Sequence, residues 1–390
     1  MNPNIDRKFE EAKGLLDRVS RPLQLVGVWP VKRTSTSNLR FVMFITYFST
    51  HLCMEYCDLL VVFGDIQSMV LNLMESGLQS MIILRLFCLR YRKIMHQIVI
   101  AIQDDVIDDN YDDPNEKKIY IKYSSIAAAY HKFSVWLGWI TAINWYFMPL
   151  QNYGFALMQN ATIPLITPYR IRTGFDISSM KWTISIYIYQ MPMIFTSVCY
   201  VATFNFIIVA VTNICAKIAV LSYNVNNLAV HRVTFTTMKL SDVVEKHLKI
   251  IRIVDKLDKA FNLIFFYELI NTTVLIGLLL YCAMVNLDNA EPMALVLSLL
   301  YAATMMMLVF VNCLMGEYLA TEAAQLLASY YECSWYEMPL SFQRDLIICM
   351  MRAQVPMHLT AAKFYVYSLS SFTSILKSSM AYVSMLRTMI

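Results

Sequence analysis

The sequence predicts an all-α, polytopic membrane protein with seven transmembrane helices. Three observations carry that prediction. Of 390 residues, 58% are hydrophobic and 15% charged, whereas soluble chains run nearer a quarter charged. The mean hydropathy is +0.49. Apolar residues come in unbroken runs and not in alternation, which fits membrane helices and excludes a porin-type barrel.

Seven runs approach the ~20 residues a helix needs to cross the hydrocarbon core. They fall at about 40–63, 69–89, 124–149, 183–213, 261–285, 293–315 and 364–386. The fourth is longer than a crossing needs, so it must tilt or project beyond the bilayer, and Pro192 is placed to kink it. Residues 1–39 are polar and charged, without the h-region of a signal peptide. The segments 214–260 and 316–361 keep helical apolar periodicity between charges, as in Val243, Val244, His247, Leu248 and Ile251. They read as helical extensions of spans 5 and 6, forming a cytoplasmic anchor layer where subunits pack. The resulting division is 1–39, 40–213, 214–361 and 362–390.

Lysine and arginine set the orientation. The segments before span 1 and after spans 2, 4 and 6 together hold 24 of these residues; the opposite side holds four, Arg170, Arg172, Lys181 and Arg387. The expectation is a cytoplasmic N-terminus and, with an odd span count, an extracellular C-terminus. The sequon Asn160-Ala161-Thr162 falls in a loop placed outside, which makes Asn160 a candidate glycosylation site. The cluster Asp104, Asp105, Asp108, Asp109, Asp112 and Asp113 reads as a solvated connector or, alternatively, a cation-attracting vestibule.

No phosphate loop, nucleophile elbow, His/Cys/Asp cluster or zinc spacing is present, so neither an enzyme active site, a metal nor a cofactor is expected, and nothing suggests nucleic acid. The nine cysteines include no CxxC pair and mostly sit in apolar runs, as buried small hydrophobes do. A G-protein-coupled receptor would place its N-terminus outside and carry Asp-Arg-Tyr and Asn-Pro-x-x-Tyr signatures, which are missing. A secondary transporter would more often show repeats and broken helices at mid-membrane.

Charged residues inside spans are functional candidates: Glu55 and Asp58, Glu75 and Arg85, and Glu268. Glu75 and Arg85 are too far apart to pair. Arg85 and Asp58 are expected near helix ends, within reach of water, and most of the five are expected to be structural.

Two C-terminal stretches resemble the last third of insect odorant receptors: Cys313-Leu-Met-Gly-Glu317 through Trp335-Tyr336, and Pro356-Met-His-Leu-Thr-Ala-Ala-Lys-Phe364 through Ser368–Phe372, Ile375 and Ala381-Tyr382. Phe9, Leu15, Gly27, Trp29 and Pro30 resemble the family's N-terminal segment. The resemblance implies an odorant-gated, non-selective cation channel in the plasma membrane of a sensory neuron dendrite. It implies a tetramer, commonly a heterotetramer with an olfactory co-receptor though a homotetramer is possible, with contacts to lipid and permeating cations. It places a small volatile ligand in the outer half of spans 1–4 and the pore along span 7. Sister gustatory receptors, the main alternative, end the last span with Thr-Tyr and Gln-Phe pairs. Here the stretch reads Ala381-Tyr382 and Arg387-Thr388, which points to a tuning receptor and away from the co-receptor.

On the last span, Ser371, Ser374, Ser378, Ala381, Met385 and Thr388 share one face within about 100°. Such hydroxyls either bond a neighbouring helix or face water; the resemblance favours a pore. Met385 and Met389 would then form an apolar outer constriction with Thr388 between them, and Lys377 would lie at the edge of the face. For the ligand, Leu73 and Gly77 on span 2, Gly138, Thr141 and Trp145 on span 3, and Tyr187, Met191 and Phe195 on span 4 suit an apolar, aromatic-lined cavity or, equally, ordinary bundle packing.

Overall fold

The computed structural model describes residues 3–31, 33–108, 111, 113–159, 164–173, 179–227, 240–288 and 292–388. Two short helices, α1 (Pro3–Lys13) and α2 (Leu15–Leu25), precede the first long one, α3 (Ser35–Val61). There follow α4 (Ile66–Tyr91), α5 (Lys93–Asp108), α6 (Pro114–Met158), α7 (Met180–Gln190), α8 (Ile194–Asn226), α9 (Leu240–Asp288), α10 (Pro292–Glu332), α11 (Leu340–Ala353) and α12 (Leu369–Thr388). A two-strand hairpin, β1 (Thr360–Ala361) and β2 (Tyr365–Val366), sits between α11 and α12.

Local chemistry accounts for several boundaries. Thr34 caps α3 by accepting from the Ser37 amide at 3.2 Å. Asp113 does the same for α6 at Asn115, at 2.9 Å, with Pro114 opening the helix where its missing N–H costs nothing. Of the acidic cluster, only Asp113 has a described side chain, and it is a cap. Pro192 does not break the fourth span; Met191–Met193 make one 3-10 turn that joins α7 to α8. That tighter turn dispenses with the i−4 bond proline cannot make.

α8 is apolar on every side and buried along most of its length, as a helix at the centre of a bundle must be. It is surrounded by α2, α6, α9 and α10. The N-terminal helices close one end of this core: Phe9 packs edge-on against Tyr111 and Tyr120, and Trp29 against Phe206. Gly27, at φ +80°, lies too close to the Ser37 carbonyl for any Cβ, and its own carbonyl accepts from Arg90.

Of the predicted extensions, 240–260 runs unbroken into span 5 and 316–332 runs unbroken from span 6, whereas 214–226 belongs to α8 and 340–353 forms the separate α11. At 1.5 Å per residue the 49 residues of α9 span about 74 Å, far more than a bilayer core. Among the described residues, four helical stretches are long and apolar enough to cross a membrane on composition alone: Ser68–Tyr91, Met180–Asn226, Leu240–Leu287 and Leu295–Glu337. The other three long helices, α3, α6 and α12, are less apolar because each mixes charges or hydroxyls into its run. One boundary differs from expectation. The seventh span begins at Leu369, since residues 360–366, partly read as helix, form the hairpin. All nine cysteines are free thiols, seven of them buried.

Candidate ligand site and pore helix

The predicted ligand residues divide into two groups. Trp145 meets Tyr301 of α10 edge-on at 5.6 Å, and Leu73 packs against the same small core cluster as that tyrosine. Tyr187 and Tyr146 bind each other reciprocally: the Tyr146 hydroxyl donates to the Tyr187 carbonyl at 2.7 Å, the Tyr187 hydroxyl donates to the Tyr146 carbonyl, and their rings meet at 4.9 Å. Phe195 is half-buried against the main core. The two glycines admit close helix approach and leave no gap. A Cβ on Gly77 would come within 2.7 Å of Asn271 Oδ1 on α9, and one on Gly138 within 2.8 Å of Val201 on α8. Thr141 and Met191 are exposed on the bundle's exterior. The inward face of α6 here is Ala142–Trp145–Tyr146, so Thr141 turns out and bonds back to the carbonyls of Leu137 and Gly138. Asn160 lies outside the described residues.

Two polar stripes meet at the same end of the bundle. On α3 they are His51, Glu55 and Asp58, four and three residues apart; on α4 they are Asn72, Glu75, Ser76 and Gln79, at steps of three, one and three. Gln79 Nε2 donates to Glu55 Oε1 at 2.5 Å, and Asn72 Nδ2 donates to both the Glu55 carbonyl (3.0 Å) and Asp58 Oδ2 (3.1 Å). His51 Nδ1 lies 3.2 Å from Glu55 Oε1 without hydrogen-bonding geometry, its ring set among Tyr47, Tyr169 and Tyr189. Residues 164–173 cap the cluster: the Arg170 amide donates to Glu75 Oε2 at 3.2 Å, and Gln190 brackets Tyr169 through both its N–H and its carbonyl. Single charges in these spans were visible in the sequence. The facing stripes were overlooked, although their spacing was there to be read.

A different charge pair occupies the middle of the bundle. Arg85 Nη2 donates to Glu268 Oε2 at 2.5 Å, both side chains essentially without solvent contact. The guanidinium also lies over the rings of Tyr200 and Phe204, at 5.2 and 5.4 Å. The expectation that Arg85 sits near a helix end in reach of water is therefore wrong. Its partner stands 183 residues away in sequence, on α9, so no local spacing could reveal it.

The hairpin is fastened to α9 and α10. Asp258 Oδ1 accepts from both the amide and the hydroxyl of Thr360 at 2.7 Å, and the Tyr367 hydroxyl donates to the Phe265 carbonyl at 3.0 Å. Any Cβ on Gly316 would collide with the Tyr367 carbonyl. Glu317 Oε2 accepts from the Leu369 amide at 3.1 Å, so a carboxylate from α10 satisfies a free N–H at the start of α12. These contacts hold Ala362 and Lys363 in left-handed conformations, φ 50° and 68°, a cost of roughly 1–2 kcal/mol each.

α12 buries Ile375 and Ser379 and exposes Ser370, Thr373, Ser374, Lys377, Ser378, Met380, Ala381, Ser384 and Met385. At 100° per residue the exposed set covers an arc of about 160°. Ser371 lies at its border, half-buried and paired with Ser368. Lys377 is not at the edge but well inside the arc. Thr388 ends the helix; Met389 lies outside the described residues. A separate shallow cleft, lined by Leu16, Ile102, Tyr120 and Asn213 among others, is at the opposite end. Tyr120 precedes Trp145 by ~38 Å along α6.

A profile of the 7tm Odorant receptor family matches residues 65–380, most of the chain. This chain belongs to the odorant receptor family. Similar curated proteins include the odorant receptor coreceptor of Ooceraea biroi, 28% identical over 144 residues, which are 37% of this chain and 30% of the relative. Odorant receptor 2a of Drosophila melanogaster is 27% identical over 90 residues, 23% of each chain. The matched stretches thus span about a third or less of those relatives. Among solved structures, the insect olfactory receptor OR5 of Machilis hrabei in complex with eugenol superposes with a TM-score of 0.78 over 98% of this chain and all of that one, at 15% identity. The same receptor described without eugenol gives 0.79 at 16%. At that identity the likeness establishes the seven-transmembrane fold. This odorant receptor is a multi-pass membrane protein and not an enzyme, and the gustatory and transporter alternatives fall away.

Proposed function

We propose that this odorant receptor is one subunit of a tetrameric, odorant-gated, non-selective cation channel whose pore is lined by α12. The exposed arc of α12 carries the reading. Thr373, Ser374 and Ser378 return their hydroxyls to carbonyls of their own helix. A face that also carries Ser370, Ser384 and the Lys377 ammonium is nevertheless unsuited to lipid, where a charge must find a partner within the protein or water. Its opposite face is already held by the rest of the bundle. Around a central axis, Ser374 and Ser378 would meet water and Met385 would narrow the path, a constriction that gates by dewetting. The partner in this reading is an olfactory co-receptor, the kind of protein several of its relatives are named as. The ligand, a small volatile molecule, binds at the end of the bundle that holds Trp145, Tyr187 and Leu73. Following the charge asymmetry, that end faces outward, the N-terminus and the anchor layer are cytoplasmic, and the assembly sits in the plasma membrane.

The test is permeation. In cells expressing the chain with an insect co-receptor, Met385→Ser should raise ligand-independent current, and Ser378→Lys should lower divalent permeability relative to monovalent. Unchanged reversal potentials and basal current at matched surface levels would place the pore elsewhere. An N-terminal epitope stained on intact cells would overturn the orientation.

A further inference from the structure

Resting on the reading above that a ligand binds at the Trp145 end of the bundle, we infer that the facing polar stripes of α3 and α4 form a recognition site for a protonated amine. The argument begins with unmet hydrogen bonds. Glu55 and Gln79 are at least nine-tenths buried, as are Asn72 and Ser76. Among the described residues, Glu55 Oε2, Asn72 Oδ1, Gln79 Oε1 and Ser76 Oγ have no partner. The two amide oxygens are acceptors, and their assignment is forced. Each amide nitrogen already donates to a carboxylate or carbonyl, which leaves the amide oxygen as the free atom. A native interior seldom leaves such groups unpaired, so several together call for a ligand rich in donors.

Charge points the same way. Glu75 lies within electrostatic reach of Glu55, Asp58 and Arg170, and the only hydrogen bond described for its carboxylate comes from a backbone amide. Three carboxyl groups thus share a site in which Arg170 reaches Glu75 and no cation is described beside Glu55 except the His51 imidazole, quite unlike Glu268, which has Arg85. An alkylammonium supplies what is lacking: one positive charge and three N–H donors with no acceptor, the same inventory as a lysine side chain. Its hydrocarbon has a place to go. Glu75, Trp145 and Tyr301 each retain accessible surface, and Tyr301 feels the Glu75 charge while touching the Trp145 ring. The ammonium would seat between Glu55 and Glu75, and the apolar tail would run toward the two aromatic rings, as a mostly apolar pocket with a few convergent polar groups requires. A neutral alcohol of equal length brings one donor and no charge.

The test compares hexylamine with 1-hexanol on the full chain, by ligand-induced thermal stabilisation of detergent-purified protein and by evoked current with an insect co-receptor. Hexylamine should bind at least about tenfold more tightly than 1-hexanol. Glu55→Gln and Glu75→Gln should each remove that preference while leaving the weaker alcohol response in place. Two variants are used so that a folding defect in one, visible as a lowered melting temperature without ligand, leaves the other to decide. Equal binding of the two probes, tighter binding of the alcohol, or an amine preference intact in both variants would overturn the inference. Amine binding without any current would uphold it and count against the channel. Alcohol-evoked current without amine binding would do the reverse.

Discussion

Glu268 and Glu55 are both buried carboxylates on membrane-crossing helices, yet their surroundings differ. Glu268 has a guanidinium at 2.5 Å, itself laid over two aromatic rings, with both side chains essentially without solvent contact. Glu55 has an amide donor and a histidine that does not align, with one oxygen and two neighbouring amide oxygens unpaired. A charge that is paired on burial serves the fold; one left short of partners at the end of a bundle is available to something that arrives later. Burial of an ionisable residue in a span is therefore not enough to assign its role. What decides is whether its partner is built in.

The comparison can be broken most forcefully at Arg85. Arg85→Met or Glu268→Gln alone leaves an uncompensated group in the core and should cost about 3–5 kcal/mol, while the double apolar replacement should recover much of it. Thermal unfolding in detergent measures both, and additive losses would show that the two side chains act separately. The next effect is on ligand response. Trp145→Ala removes a half-buried ring from Tyr301 and should cost roughly 1–3 kcal/mol of binding, or one to two decades in half-maximal concentration. An unchanged dose response to every agonist would assign Trp145 to packing. At the hairpin, Glu317→Gln weakens a charge-assisted bond to the first amide of α12, with an expected loss of about 1 kcal/mol. The smallest effect sharpens the contrast with Glu268. Glu55→Gln keeps the shape and removes a buried carboxyl beside which no lysine or arginine is described, so stability without ligand should stay within about 1 kcal/mol of the parent or rise. A loss as large as that at Glu268 would erase the distinction between the sites.

The fold was legible where physics is local. Hydropathy runs marked the spans, periodicity marked their extensions, and Thr34 and the Asp113-Pro114 pair mark helix starts. Less could be read where one residue's role depends on another far along the chain. Arg85 finds Glu268 across 183 residues, and Thr360 finds Asp258 across 102. Helix rotation was a second obstacle. A spacing of three or four residues identifies a face but not which way it turns, so Thr141 and Met191 were grouped with Trp145 and Tyr187 although they point out. The same ambiguity shifted the exposed arc of α12 to include Lys377. The α3 and α4 stripes are different: their three- and four-residue spacing alone places each on a single helix face.

The length of α9 bears on how the protein meets its membrane. A short span can accommodate a thinner or thicker bilayer by tilting. α9 is one rod of about 74 Å whose far half is gripped by α5, α10 and the hairpin, and that grip fixes its angle. Thickness mismatch must then be absorbed by lipid deformation around the protein, and the energy of that deformation depends on the sterol content and chain length of the host membrane. Bilayer composition thereby becomes a variable acting on this receptor without any binding site for lipid.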